Sequence, residues 1–340
     1  MISALICTHK RPQNLLILLK NISNQSLLPN HIILVGVKNT DFGALVDKEI
    51  SVLSRKGIKV RKFLSKKGLT LQRNIALENA DEKTEIICFL DDDIILGEDY
   101  FLRTLSVFKE FPNAVGVAGI THDNLDKTLR RTSLLGVLTL SDSFKPGRLL
   151  RSGINTGYRF RSQPYRVEWL SGCTMSYRFQ LVRNLKFDTR RVGTSWGEDI
   201  DFSLRAGNHG DLYVFTSNNL VHYKSGVNRN KISKISEQNL LSRVLMINDF
   251  PKKVTKFWVS YNILFHYSRR NMSGYSAFQF HKTVNRVAKF LLLCLKVINS
   301  KFRKFISKVL DRNNLFSSEM ILRRRDLRKL NNYLKNTEHA

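Results

Sequence analysis

Three consecutive carboxylates, Asp91, Asp92 and Asp93, follow directly on the apolar run Ile86-Ile87-Cys88-Phe89-Leu90. Adjacent acids repel one another, so a bound cation is the simplest reason to keep three of them together. Alternate side chains of an extended segment point the same way, which lets Asp91 and Asp93 face one site while Asp92 points elsewhere. Oxygen donors of this kind select Mg2+ or Mn2+ over zinc. The competing reading is helix capping, because Gly97-Glu98-Asp99 follows with acids suited to a first helical turn. That cap needs only Glu98 or Asp99 and leaves the triple unexplained.

A second acidic group stands in Trp196-Gly197-Glu198-Asp199-Ile200-Asp201. Acids in a first turn stabilise the helix dipole by about 0.3 to 1 kcal/mol. A carboxylate held at a helix start is also fixed in position and can take a proton from a hydroxyl nucleophile. The metal site roughly a hundred residues earlier favours this second reading. His222 ends the run Leu220-Val221. A lone histidine at a strand end suits a structural role, or, beside a cation on Asp93, the role of a further ligand.

The elements that must position these residues alternate in type. Ser3 to Thr8, His31 to Val37, Ile58 to Phe63, Glu85 to Leu90 and Ala114 to Ile120 read as strands. Pro12 to Ile22, Phe42 to Arg55 and Leu69 to Asn79 read as helices. This alternation predicts an α/β fold, a mostly parallel, doubly wound sheet flanked by helices, with binding chemistry beyond the strand carboxyl ends. Asp123 to Gln163 is irregular, with five Gly and Pro residues, and suits a lid or acceptor platform. Val167 to Tyr177 reads as a strand containing Gly172, and a helix opens at Gly197 and ends at Gly207 or Gly210.

The chain has 340 residues, enough for one large domain with an appendage or for two domains. A hydrophobic content of 42% with 21 Phe excludes a disordered class. Cys7, Cys88, Cys173 and Cys294 are far apart with no Cys-x-x-Cys pair, which predicts reduced thiols in a cytosolic protein. Met1 to Cys7 reads as a first strand rather than a signal peptide, and no stretch approaches the ~20 apolar residues that span a bilayer. A cytoplasmic location is therefore expected.

Net charge is +28, and it is unevenly spread. From Tyr223 onward there are 25 basic against 6 acidic residues, whereas the preceding residues hold 31 against 22. Within the basic part, Thr283 to Leu310 sets Val284, Val287, Ala288, Leu291, Leu292 and Leu295 at mostly helical spacing among lysines and arginines. A basic amphipathic helix of this type lies on an anionic membrane surface or packs against a partner, including a second copy. The expected division is a catalytic domain over 1–225 and a basic, mainly helical region over 226–340.

Four segments together resemble the family 2 glycosyltransferases of GT-A fold. They are Cys7-Thr8-His9-Lys10-Arg11-Pro12, Gly68-Leu69-Thr70-Leu71-Gln72-Arg73-Asn74, Asp91-Asp92-Asp93, and Gly197-Glu198-Asp199 with its helix. They lie in the family's order and spacing over about the first 225 residues. The resemblance implies a nucleotide-diphosphate sugar donor, a divalent metal (Mn2+ or Mg2+) and inversion at the anomeric carbon. It further implies Asp93 and His222 as metal ligands, with Asp91 and Asp92 on the donor. Asp199 is implied as the base and Glu198 as its acceptor-orienting neighbour, with Trp196 on the acceptor side. Arg73 and Asn74 would meet the nucleotide, Thr8 and Arg11 the loop beneath it, and Gly172 with Cys173 would line the donor sugar. The second strand of this family commonly ends in an acidic residue that holds the base, whereas Gly36 stands here and Asp41 follows in the loop. The base is therefore left open among uridine, thymidine and guanosine. The expected acceptor is a hydroxyl of a glycan or lipid-linked oligosaccharide in surface polysaccharide assembly, handled peripherally at the cytoplasmic leaflet.

Two other classes fit part of the pattern. A metal-dependent nucleotidyltransferase could use the same acids, but no Gly-x-Gly-x-x-Gly or Walker-type loop occurs. A basic nucleic-acid binder could stack bases on Phe257, Trp258, Tyr261, Phe265, Tyr267 and Tyr275. Against it, the acidic pocket would repel phosphates and no recognition motif is present.

Overall fold

The computed structural model describes residues 1–121, 134–191, 195–217, 219–223 and 232–271. The helix expected over 283–310, and part of the 123–163 loop, lie outside the described residues.

Short apolar runs form β1, β2 and β4 because both of their faces are covered, as the interior of a parallel sheet requires. β1 (Ile2–Cys7), β2 (His31–Gly36) and β4 (Ile86–Asp91) are buried nearly throughout, as is β6 (Ala114–Ile120). Between them run α1 (Pro12–Ser23), α2 (Gly43–Arg55), β3 (Lys59–Leu64), α3 (Leu69–Glu78) and α4 (Tyr100–Glu110). α1 turns Leu15, Leu18, Leu19 and Ile22 inward at helical spacing, and Pro12 starts it, where its missing N–H is not needed.

The main sheet has eight strands in the order β3-β2-β1-β4-β8-β6-β9-β7, with β7 at Tyr165–Val167, β8 at Met175–Arg178 and β9 at Asp211–Thr216. β1 pairs in parallel with β2 and β4, and β2 with β3. β8 runs antiparallel between β4 and β6, so the residues that precede it arrive beside the carboxyl end of β4. β9 lies parallel to β6 and antiparallel to β7. At the other end of the order, β3 is the charged, largely exposed strand Lys-Val-Arg-Lys-Phe-Leu.

A separate two-stranded sheet pairs β5 (Ile94–Ile95) with β10 (Val221–His222), setting His222 opposite Ile94. Of the remaining helices, α5 (Leu134–Leu138) and α6 (Phe179–Val182) are short, and α7 (Glu198–Ala206) follows the second acidic group. α8 (Ile232–Asp249) and α9 (Lys256–Asn271) close the described chain.

The strand expected over 167–177 is divided. The N–H of Leu170 donates to Ser203 Oγ at 2.9 Å and that of Gly172 to Asp199 Oδ2 at 3.0 Å, so α7 side chains take the hydrogen bonds a ladder would need. A turn closed by the Thr174 N–H on the Ser171 carbonyl follows. The chain divides into two compact units, Met1–Leu150 with Ile154–Ser242, and Arg151–Gly153 with the residues from Arg243 onward. In the second unit Arg243 Nη1 donates to Asn262 Oδ1 at 3.1 Å, and Val254 and Val259 are buried. No described helix is long and apolar enough to cross a membrane.

Candidate active site

The carboxyl ends of β1, β2 and β4 deliver three loops to one edge of the sheet, where open α/β folds bind ligands. After β4, Asp92 and Asp93 are both buried, while Asp91 keeps 29% of its side chain exposed. Asp92 accepts the Thr8 hydroxyl at Oδ2 (2.7 Å) and Arg11 Nη1 at Oδ1 (3.0 Å). Burial pushes the Asp92 carboxyl up to about 6 against the pull of those two donors.

Asp93 Oδ1 lies 3.0 Å from His222 Nε2, across 129 residues of sequence. The β5–β10 pairing makes this contact, with the Tyr223 N–H donating to the Asp93 carbonyl at 3.2 Å. Ligand atoms of Asp91, Asp93 and His222 all fall within 4.8 Å of one another. Around an octahedral ion with bonds of ~2.1 Å, adjacent ligands stand ~3.0 Å apart. The donor set, two carboxylates and an imidazole, thus fits a hard or borderline divalent cation.

Asp199 stands at the first turn of α7, where Gly197 takes a φ of 81°. It is partly exposed, and its two oxygens accept the N–H of Gly172 (Oδ2, 3.0 Å) and of Ile200 (Oδ1, 2.8 Å). These bonds orient the carboxylate and leave a lone pair on each oxygen for a proton. Burial raises its affinity for a proton above that of an ordinary aspartate, although both backbone donors and Arg73 oppose the shift. Glu198 is buried, its Oε1 2.6 Å from Arg73 Nη1 and its Oε2 without a hydrogen-bond partner. Burial accordingly pushes Glu198 upward as well.

Arg73 joins the two acidic groups. Its Nη2 donates to Asp91 Oδ1 at 3.0 Å and to the Gly172 carbonyl at 2.7 Å, while Nη1 meets Glu198. The guanidinium, 2% exposed, packs over the rings of Phe187 and Phe89 at 5.5 and 6.0 Å. Two carboxylates outweigh its burial and raise its hold on the proton. Gly172 is what permits the approach, since a Cβ there would stand 2.9 Å from Glu198 Oε1 and 3.0 Å from Arg73 Nη1.

The other anticipated residues have definite places. Asn74 clasps the backbone of Phe187, donating to its carbonyl (3.0 Å) and accepting its N–H (2.7 Å). Asp41 is buried below the β2 loop, where it accepts the N–H groups of Lys10 (2.7 Å), Val37 (2.7 Å) and Lys38 (3.0 Å). Burial works to raise Asp41, but those backbone donors prevail and hold it below the usual carboxylate range. Cys173 is buried, its carbonyl accepting the Asp91 N–H at 3.2 Å and its Sγ 3.2 Å from Ser171 Oγ. Trp196 is 43% exposed, between Ser195 and Gly197, which both sit at positive φ (55° and 81°). Sequence reasoning missed Gln72, whose Nε2 donates to the carbonyls of Thr8 (2.8 Å) and Val35 (2.9 Å) and ties the ends of β1 and β2 to α3. The available signal was three successive polar residues, Gln72, Arg73 and Asn74, in an otherwise amphipathic helix.

Known structures share this arrangement of chain. The Staphylococcus aureus protein TarS, residues 1–349, superposes with a TM-score of 0.50 at 14% identity, over 85% of this chain and 80% of that one. GalNAc-T7, solved with UDP, GalNAc and Mn2+, gives 0.53 at 13% identity over 81% of this chain and 51% of its own. No curated protein matches the chain by sequence. Residues 3–185 match the model of glycosyl transferase family 2. That span exceeds half of the 340 residues, and with the eight-stranded mixed sheet and its flanking helices it establishes the chain as a member of glycosyl transferase family 2, a glycosyltransferase of GT-A fold.

Proposed function

We propose that the enzyme transfers a sugar, with inversion, from a nucleotide-diphosphate donor to a hydroxyl of a glycan or lipid-linked oligosaccharide. The observation that carries this reading is the junction at Arg73 and Gly172: Arg73 pairs with Asp91 of the cation-type donor set and with the Gly172 carbonyl, and the Gly172 N–H in turn orients the partly exposed Asp199 carboxylate. Two acidic groups linked in this way can stabilise a leaving group and deprotonate a nucleophile.

Asp93 and His222, with Asp91 alongside, would hold Mn2+ or Mg2+, which when bound supplies Lewis-acid stabilisation of the departing diphosphate. Asp199 accepts the proton of the acceptor hydroxyl as that oxygen attacks the anomeric carbon. The N–H groups of Gly172 and Ile200 fix its direction throughout. Arg73 keeps Asp91 on the donor side and Glu198 behind the base, and the backbone of Gly172 and Cys173 lines the space between. Asp41 supports the shape of the β2 loop on which the base of the nucleotide would rest. Trp196 offers an apolar face to an acceptor ring.

The division of labour we propose is catalysis by 1–225 and docking by the basic residues 226–340, at the anionic cytoplasmic surface where a lipid-linked acceptor would be presented in surface polysaccharide assembly. A panel of sugar nucleotides tested with Mn2+ or Mg2+, read by nucleotide release and thermal shift, identifies donor base and sugar together. Metal-dependent release with one donor supports the reading. Asp199→Asn should then lower turnover by roughly 10²- to 10⁴-fold while donor-induced thermal shift persists. Normal turnover in that variant would remove the base assignment.

A further inference from the structure

Asp93 is held from two sides. His222 meets Oδ1, and Oδ2 accepts a hydrogen bond from Arg11 Nη1 at 3.2 Å. The same Nη1 donates to Asp92 Oδ1 at 3.0 Å, and Asp92 is itself pinned by the Thr8 hydroxyl at 2.7 Å. Asp92 and Asp93 are each only 4% exposed, whereas 20% of the Arg11 side chain faces solvent. The backbone of Arg11 is anchored as well, since it caps α1 ahead of Pro12 and its carbonyl accepts the Leu15 N–H at 3.1 Å. A fixed guanidinium therefore stands against an oxygen of the residue proposed to bind the metal. The middle aspartate, in the turn beyond β4, helps to keep it there through the same Nη1.

Resting on the cation-site reading given above, we infer that Arg11 couples the binding of the divalent cation to that of the donor's diphosphate. A permanent positive charge beside Asp93 repels an incoming cation in a partly desolvated cleft, so the cation alone binds weakly. A diphosphate brings enough negative charge to satisfy both, and the planar fork of a guanidinium matches phosphate oxygens in pairs. Arg11 can turn from Asp93 toward those oxygens while its backbone stays anchored at the start of α1 and Asp92 keeps the guanidinium nearby. Each ligand then tightens the other, by the same factor in both directions. The residue acts by positioning charge rather than by touching the transferred sugar.

The test uses the full-length protein with Mn2+ and inorganic pyrophosphate as probes, corrected for the Mn2+–pyrophosphate complex formed in buffer. Free Mn2+ is counted by electron paramagnetic resonance, and pyrophosphate affinity is measured with and without Mn2+. Arg11→Gln should bind Mn2+ alone about tenfold more tightly than the wild type and should lose a similar factor of the Mn2+–pyrophosphate coupling, within the range usual for linked sites. Arg11→Lys keeps the charge but not the fork, so Mn2+ alone should bind as weakly as in the wild type while only part of the coupling is retained; a melting temperature close to wild type in both variants excludes a folding artefact. Unchanged Mn2+ affinity and unchanged coupling in Arg11→Gln would overturn the role of Arg11 while leaving the cation site standing. Failure of the wild type to bind Mn2+ with or without pyrophosphate would bring down the cation site and Arg11's role together.

Discussion

Arg73 shows how one buried side chain can make two weak motifs into one site. Removing it leaves Glu198 as an uncompensated buried acid, which costs about 3 to 5 kcal/mol in comparable pairs. Arg73→Met should therefore lower the unfolding free energy by that order, and Arg73→Met with Glu198→Gln should recover part of the loss in a denaturant titration. Gly172→Ala tests the same junction from the other side. Its methyl group would crowd Glu198 Oε1 and Arg73 Nη1, so a loss of about 1 to 3 kcal/mol and a fall in kcat of at least tenfold are expected. The pH dependence follows from Asp199. Because burial raises its proton affinity, the acid limb of kcat/KM should lie above the ordinary aspartate value of ~3.9, with activity rising as pH increases through it. The acids themselves were legible in the sequence, as type and spacing. That Arg73 would lie between them was not, because the contact spans 125 residues from Arg73 to Glu198 and depends on a glycine from a third segment.

The first four parallel strands and their helices were readable to within a residue or two: β1, β2 and β4 are short, mostly apolar runs, α1 has a one-sided apolar face, and β3 mixes polar and apolar residues as an edge strand does. The segment over 167–177 was not, because its hydrogen bonds go to Ser203 and Asp199, and a hydrophobicity pattern carries no record of such partners. β9 escaped for a related reason, as it acquires its place only by insertion between β6 and β7. The loops after β1 and β2 offer a sharper case. Lys10 takes a φ of 59°, an uncommon conformation for a residue with a side chain, and its N–H is held by Asp41. Asp41→Asn should destabilise the protein by about 2 kcal/mol at neutral pH, since bonds to a charged acceptor are lost. With the folded-state pKa of Asp41 depressed, that contribution is present above ~4 and disappears as pH falls through the folded value, so the two proteins should converge in stability in acid.

Across the whole chain, charge and apolar pattern divide differently. The surplus of basic residues begins near Tyr223, whereas the first compact unit runs on to Ser242, whose hydroxyl accepts a hydrogen bond from the buried Arg191 at 2.8 Å. A deletion meant to remove the basic region should therefore spare residues up to 242. Full-length protein with Lys301, Arg303, Lys304 and Lys308 changed to Gln should bind anionic vesicles at least a hundredfold more weakly, at about 1 kcal/mol per charge, with donor hydrolysis unchanged. Equal sedimentation of variant and wild type would argue against lipid docking through that segment. At the far end of the sheet, β3 exposes Lys59, Arg61 and Lys62. Two copies meeting along this margin would bring rows of ammonium and guanidinium groups within ~5 Å, a self-repulsion that blocks endless end-on-end growth of the sheet into fibrils.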